Sequence, residues 1–244
     1  THLLVTAYDT EARRPVFFKQ RPPRPAPDGG VKVDPVYAMA TVARATSAAP
    51  TYFEALRAAP LNGHALPPER ARPRCLVDGG VFNNNPALSA YVEARKIWGY
   101  EVDILLVSLG TGITNRRYPH SQVKDWGARE WINPLAGLPL VNVMMDGQAD
   151  SAHHHLRELL GREAFPAAGG AYVRIDGPLQ GVQDEMDDAS PENLSAMADF
   201  AGRLMDPSHR FSGRHGALDQ RHNADLEWLA GRLAAIPEDA PQPP

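Results

Sequence analysis

The chain has 244 residues, 22% charged and 43% hydrophobic, an ordinary globular make-up with material for a sizeable core. Its 25 basic and 29 acidic residues leave a net charge of −4, which supplies no overall basic field and argues against a nucleic-acid partner. A single cysteine, Cys75, excludes an intramolecular disulfide, and no apolar run reaches the roughly 18 residues of a transmembrane helix.

The opening THLLVTAYDT has neither a methionine nor a signal-peptide pattern and reads as if entered mid-strand, so a piece of a longer chain is expected. HLLVTAYD and PVFFKQ are strand-like runs separated by the polar TEARR, which predicts an antiparallel pair. Residues 21–34, rich in proline and glycine, read as a loop. Asp34-Pro35 then carries a helix-start signal, and Val36, Met39, Ala40 and Ala43 recur at helical spacing up to about Ser47.

After a proline- and arginine-rich connection, RCLVD reads as a short buried strand. Asn85-Pro86 opens a helix with Leu88, Tyr91, Val92 and Trp98 on one face, and Gly99 is placed to end it. DILLVSLGTG is the continuous apolar run expected of a strand covered on both faces. Strand, helix and strand in this order predict a parallel βαβ crossover. Beyond it, residues 114–137 are irregular and 138–160 helical. AYVRID follows as a strand, then come helices around 191–205 and 220–235. One domain over 1–236 is expected, with a disordered tail at 237–244.

The feature that carries chemistry is CLVDGGVFNNNP, residues 75–86. A hydrophobic strand ends on Asp78, and the next two positions, Gly79 and Gly80, have no side chain. Functional groups of open α/β sheets collect at the carboxyl ends of strands. Glycines there permit close approaches, or backbone angles, denied to larger residues, and Gly80 is expected to need one of the two. The competing reading is an aspartate in a tight Asp-Gly turn. Gly110-Thr111-Gly112 lacks the lysine of a phosphate-binding loop and is expected to be a turn closing its strand against Asp78. His153-His154-His155 point apart on a helix and read as a solvated face, not a metal site. Phe17-Phe18, among Arg13, Arg14, Lys19 and Arg21, read as alternate in and out strand positions. Asn85 is the expected cap of its helix.

Three blocks in this order, ARATSAAPTYF at 43–53, LVDGGVFNNNP at 76–86 and ILLVSLGTG at 104–112, resemble the patatin-like phospholipase family. The resemblance implies a three-layer α/β/α domain around a mainly parallel central sheet. It implies a serine–aspartate dyad that cleaves acyl esters of lipids, with no histidine relay and no metal or organic cofactor. Asp78 matches the catalytic aspartate, and Gly79-Gly80 complete its motif. Phospholipids or other acyl esters are the implied substrates, with peripheral membrane contact and a cytoplasmic or membrane-peripheral location. The glycine-rich oxyanion loop and the Gly-x-Ser-x-Gly elbow do not occur in the 244 residues. The N-terminal strands that carry them are expected in a missing segment of the same domain, leaving this chain alone inactive. Ser47 has no flanking glycines and reads as a structural residue near the site. The alternative is a catalytically inactive relative that binds lipid or protein.

Overall fold

The structure, a computed structural model, describes residues 2–20, 24–25, 31–114, 116–160, 170–185, 187–206, 209 and 226–235. The expected tail at 237–244 lies outside the described residues. The chain divides into two compact units, one of Thr1–Pro86 with Val143–Ala149, the other of Ala87–Asn142 with Asp150–Pro244.

The first unit is built on the predicted hairpin. Strands β1 (Leu4–Asp9) and β2 (Arg14–Lys19) pair antiparallel, with Val5 opposite Phe18 and Thr6 opposite Phe17. Asp9 makes the turn: its carboxylate accepts the Glu11 and Ala12 N–H groups at 3.2 and 3.1 Å. Period-two alternation then sorts the phenylalanines as expected. Phe18 packs edge-on against Tyr37, while Phe17 is 40% exposed. Within the expected loop, β3 (Arg24–Pro25) and β4 (Val31–Lys32) form a minimal antiparallel pair.

Helix α1 spans Met39–Thr46, starting later than Asp34-Pro35 indicates. Asp34 is drawn away from capping. Its carboxylate takes the Arg70 guanidinium at 2.9 Å, and the Val36 N–H bonds the Asn62 side chain at 2.8 Å. The buried positions are Val42 and Ala45, whereas Val36 and Met39 are exposed, so the apolar face is displaced from the one the spacing marks.

Strand β5 (Leu56–Ala58), short helix α2 (Pro68–Ala71) and strand β6 (Arg74–Asp78) follow. The sheet order is β2-β1-β6-β5, antiparallel throughout. Its core is Ala7, Val16, Ala45, Ala58 and Leu76, the last with no exposure at all. Burying such a leucine is worth about 2 kcal/mol. One turn of helix, α3 (Gly80–Asn83), leaves the end of β6.

In the second unit, α4 (Ala87–Trp98) ends at Gly99, whose φ of 77° is the left-handed stop expected there. Leu88 and Tyr91 pack into a cluster with Ala87, Leu156, Leu160 and Tyr172, but Val92 faces out at 44% exposure. Strand β7 (Ile104–Leu109) leads to the short turns α5 (His120–Val123) and α6 (Ala128–Trp131). The long helix α7 (Pro139–Leu160) and strand β8 (Gly170–Ile175) come next, and α8 (Pro191–Met205) is N-capped by Ser190. Residues 226–234 are also helical. Phe200, Leu204, Leu226 and Leu229 cover Val173 and Ile175 of β8.

Two expectations fare differently from the elements themselves. Helices and sheets are both present, but among the described residues the one parallel strand pair is β7 with β8, in register from Ile104–Gly170 to Leu109–Ile175 and followed by an isolated parallel bridge between Ile113 and Pro178. Both neighbours of β6 in its sheet, β1 and β5, run antiparallel to it. Strand β7 is also not covered on both faces, since Val107 and Leu109 are 38% and 72% exposed.

Candidate functional site

Asp78 is the last residue of β6 and sits opposite Ala7 of β1. Its own N–H donates to the Ala48 carbonyl at 3.0 Å, which ties the strand end to the segment after α1. The chain then turns at once. Gly79 has helical angles, φ −69° and ψ −21°, and the Gly80 N–H folds back to donate to Asp78 Oδ1 at 2.7 Å.

The two glycines are needed to different degrees. A Cβ on Gly79 would stand inside the Thr6 hydroxyl and only 2.5 Å from the Thr6 carbonyl oxygen. The backbone of β1 therefore passes where a side chain would be. A Cβ on Gly80 would lie 3.2 Å from Asp78 Oδ1 and 3.5 Å from Met145 Cε, a tight but adjustable fit. Gly80 is not at positive φ. The close approach expected of Gly80 thus belongs chiefly to Gly79.

The Asp78 carboxylate is half-buried, and that burial raises its pKa above the ordinary 3.8, while the Gly80 N–H pulls in the opposite direction. Among the described residues no cation pairs with it, and Oδ2 accepts no protein donor. One oxygen is held in place and the other is left to accept a proton, the arrangement a general base needs. Helix α7 supports the turn from behind: Gln148 Nε2 donates to the Val81 carbonyl at 3.2 Å, and Asn85 donates to the Ala149 carbonyl at 3.3 Å.

Ser47 has the structural place expected of it. It is the C-cap of α1, and its hydroxyl donates to the Ala43 carbonyl at 2.9 Å. Ser108 is buried and accepts from Arg174 at 2.8 Å.

The Gly110–Gly112 turn closes on Asp176, not on Asp78 as its sequence indicates. Asp176, just past β8, accepts the Gly112 and Gly177 N–H groups, each at 3.0 Å, and pairs with Arg174 at 2.6 Å. RIDGP carries the same site-like signal, an aspartate at a strand end before glycine, but its role is to join the ends of two parallel strands. The solvated face expected of the three histidines holds for two of them, while His153 turns inward and is half-buried. His153 shares a hydrogen bond with the Tyr172 hydroxyl at 3.0 Å, and His154 and His155 are exposed. Among the described residues no group of His, Cys, Asp and Glu is arranged to hold a metal ion, and no helix is long and apolar enough to cross a membrane.

Residues 3–91, which contain the whole Asp78 turn, match the family model described as patatin-like phospholipase. Patatin-like protein 2 of Arabidopsis thaliana is 28% identical over 97% of this chain. The chain is similar to patatin-like proteins. Patatin-like protein 8 of Arabidopsis thaliana is 26% identical over 95% of the chain, and patatin group D-2 of Solanum tuberosum 25% over 84%. The chain covers 59%, 42% and 52% of these three relatives, about half the length of the curated proteins it matches. No solved structure matches it significantly.

Proposed function

We propose that the protein is a lipid acyl hydrolase and that Asp78 is the general base of a serine–aspartate dyad whose serine comes from a segment outside these 244 residues. The observation that carries this reading is the Asp78 carboxylate itself, fixed at Oδ1 by the Gly80 N–H with no cation beside it. The substrates are phospholipids or other acyl esters, approached at a membrane surface.

In the reaction, the serine oxygen attacks the ester carbonyl while its proton passes to Asp78. The tetrahedral intermediate collapses, the ester C–O bond breaks, and Asp78 returns the proton to the departing alcohol. Water, deprotonated by Asp78 in turn, then attacks the acyl-serine; the acyl–oxygen bond breaks, Asp78 returns that proton to the serine oxygen, and the fatty acid leaves. An aspartate at its ordinary pKa is a weak base at neutral pH, so partial burial improves it for this task. The sign follows: activity is present above the raised pKa and falls as the pH drops through it.

Exposure at β7 supports such a segment. Both edges of β6 are taken by β1 and β5, but among the described residues β7 pairs only with β8. The exposed Val107 and Leu109 support a further strand or layer over β7, completing a more parallel three-layer sheet. The test is Asp78→Asn in protein that includes the preceding segment, assayed on a chromogenic acyl ester. Loss of a general base costs about 10²–10⁴ in rate. Turnover within a factor of two of wild type removes Asp78 from the mechanism. Wild-type protein without any ester hydrolysis favours the inactive, lipid-binding relative instead.

A further inference from the structure

Between β7 and α7 the chain makes a short proline-started turn, Pro134–Ala136, that carries Leu135 at 99% exposure. Exposed leucines are common, but this one is held there. The Asn133 side chain accepts the Leu135 N–H at 3.0 Å, its carbonyl accepts the Leu138 N–H at 3.0 Å, and Arg116 reaches the Ala136 carbonyl at 3.4 Å. Gly137 and Leu138 are both left-handed, at φ 73° and 52°. For a leucine that conformation is strained, and strain of this kind persists where the surrounding structure enforces it.

Beside the turn, Ile132 is 56% exposed, and the first turn of α7 adds Leu140 and Val141 at 41% and 42%. Trp131 packs edge-on against Trp126 at 5.1 Å, and Trp126 against Tyr118 at 5.8 Å. The Asn142 side chain bonds both the Tyr118 hydroxyl and the Gly137 carbonyl, linking the aromatic row to the turn. The chain as a whole is acidic, yet residues 116–131 carry four basic side chains; Arg116 is taken by Asp184 at 2.9 Å and Glu185 at 3.7 Å, and Lys124 stands 3.7 Å from Asp125, which leaves Arg117 and Arg129. Glu130 is occupied by the Gly127 N–H, and Arg117 and Arg129 are exposed.

We propose that the Pro134–Ala136 turn, with Ile132 and the Trp126–Trp131 pair beside it, docks the protein onto an anionic lipid bilayer. Leu135 and Ile132 enter the acyl boundary, the tryptophans sit at headgroup depth, and Arg117 and Arg129 meet anionic headgroups. The choice of a bilayer as occupant rests on the lipid-hydrolase reading; the apolar, aromatic and basic arrangement does not.

The experiment is flotation of the protein with vesicles of phosphatidylcholine, alone or mixed with phosphatidylglycerol. Wild type is expected to float, more so with the anionic lipid. Leu135→Asp, at a fully exposed position, should keep the wild-type melting temperature and lower vesicle affinity about tenfold or more. Arg129→Glu should lose only the preference for phosphatidylglycerol. Phe17→Asp, on the exposed face of β2, should float as wild type does. Equal flotation of wild type and Leu135→Asp, or no flotation of wild type with either vesicle, overturns the proposal. So does a vesicle-free dimer that Leu135→Asp dissociates, which makes the patch a protein interface. In protein that includes the serine-bearing segment, hydrolysis of a water-soluble short-chain ester should be the same in wild type and Leu135→Asp. Its absence from both would sink the hydrolase reading and leave the flotation result standing.

Discussion

Gly79→Ala is the sharpest probe of how the Asp78 turn is built. The backbone at Gly79 is ordinary for alanine, so conformational strain contributes nothing. All of the cost comes from the added methyl group, which would overlap the Thr6 hydroxyl and press to 2.5 Å of the Thr6 carbonyl oxygen. Relief requires β1 to retreat from the end of β6, where Ala7 faces Asp78. Overpacking typically costs about 1–3 kcal/mol, and an immovable strand backbone puts this case near 3. For a domain of this size that is a fall in melting temperature of about 6–12 °C. Gly80→Ala meets only side-chain atoms, at 3.2 Å or more, and alanine restricts the unfolded chain by about 0.4–1 kcal/mol. Its melting temperature should stay within about 3 °C of wild type. The assay is thermal unfolding followed by circular dichroism, with Thr6→Ala added to Gly79→Ala. Removing the hydroxyl should recover part of the loss but not all, since the carbonyl remains. Gly79→Ala melting with wild type, or complete recovery by Thr6→Ala, would refute the backbone-contact argument.

Asp78→Asn should stabilise the fold at neutral pH, because the raised pKa means the native state disfavours the charge. The advantage should disappear below about pH 3.8, where the unfolded aspartate is protonated as well; a variant less stable than wild type at pH 7 would contradict the burial argument. Asp176→Ala strands Arg174 and two N–H groups, and should cost about 3–5 kcal/mol by denaturant titration, against under 1 for an ordinary surface aspartate. His153 has its pKa lowered by burial and then by Arg174 and Arg157, so its contribution is present above pH 6.5 and is lost as the pH falls. Melting curves from pH 7.5 to about 5 should show His153→Gln losing less stability than wild type over that range.

What the sequence discloses here is local. The β1–β2 hairpin, β6 with its aspartate, α4 with its Gly99 stop, α7 and β8 are legible because periodicity and punctuation lie within each element. What it hides is set by partners distant in sequence. Asp34 looks like a cap until Arg70 claims it, which delays α1 and turns Val42 and Ala45 inward in place of Met39. Strand β6 looks ready for a parallel neighbour until the hairpin and β5 occupy its edges. Asp-Gly-Gly marks the candidate site, but only the Thr6 backbone shows that Gly79 is the more constrained glycine. Asp176 reads as another strand-end carboxylate, and only the folded Gly110–Gly112 turn gives it a structural role.

The most direct test of the dyad is covalent labelling with a fluorophosphonate, which reacts with activated serines. It requires protein that contains residues 1–244 together with the segment preceding them, and peptide mass spectrometry to place the label. The account predicts one labelled serine, within Gly-x-Ser-x-Gly outside the 244 residues, and labelling slowed at least about a hundredfold by Asp78→Asn. Label on Ser47 or any other serine of the chain, or labelling at the wild-type rate in Asp78→Asn, would contradict it.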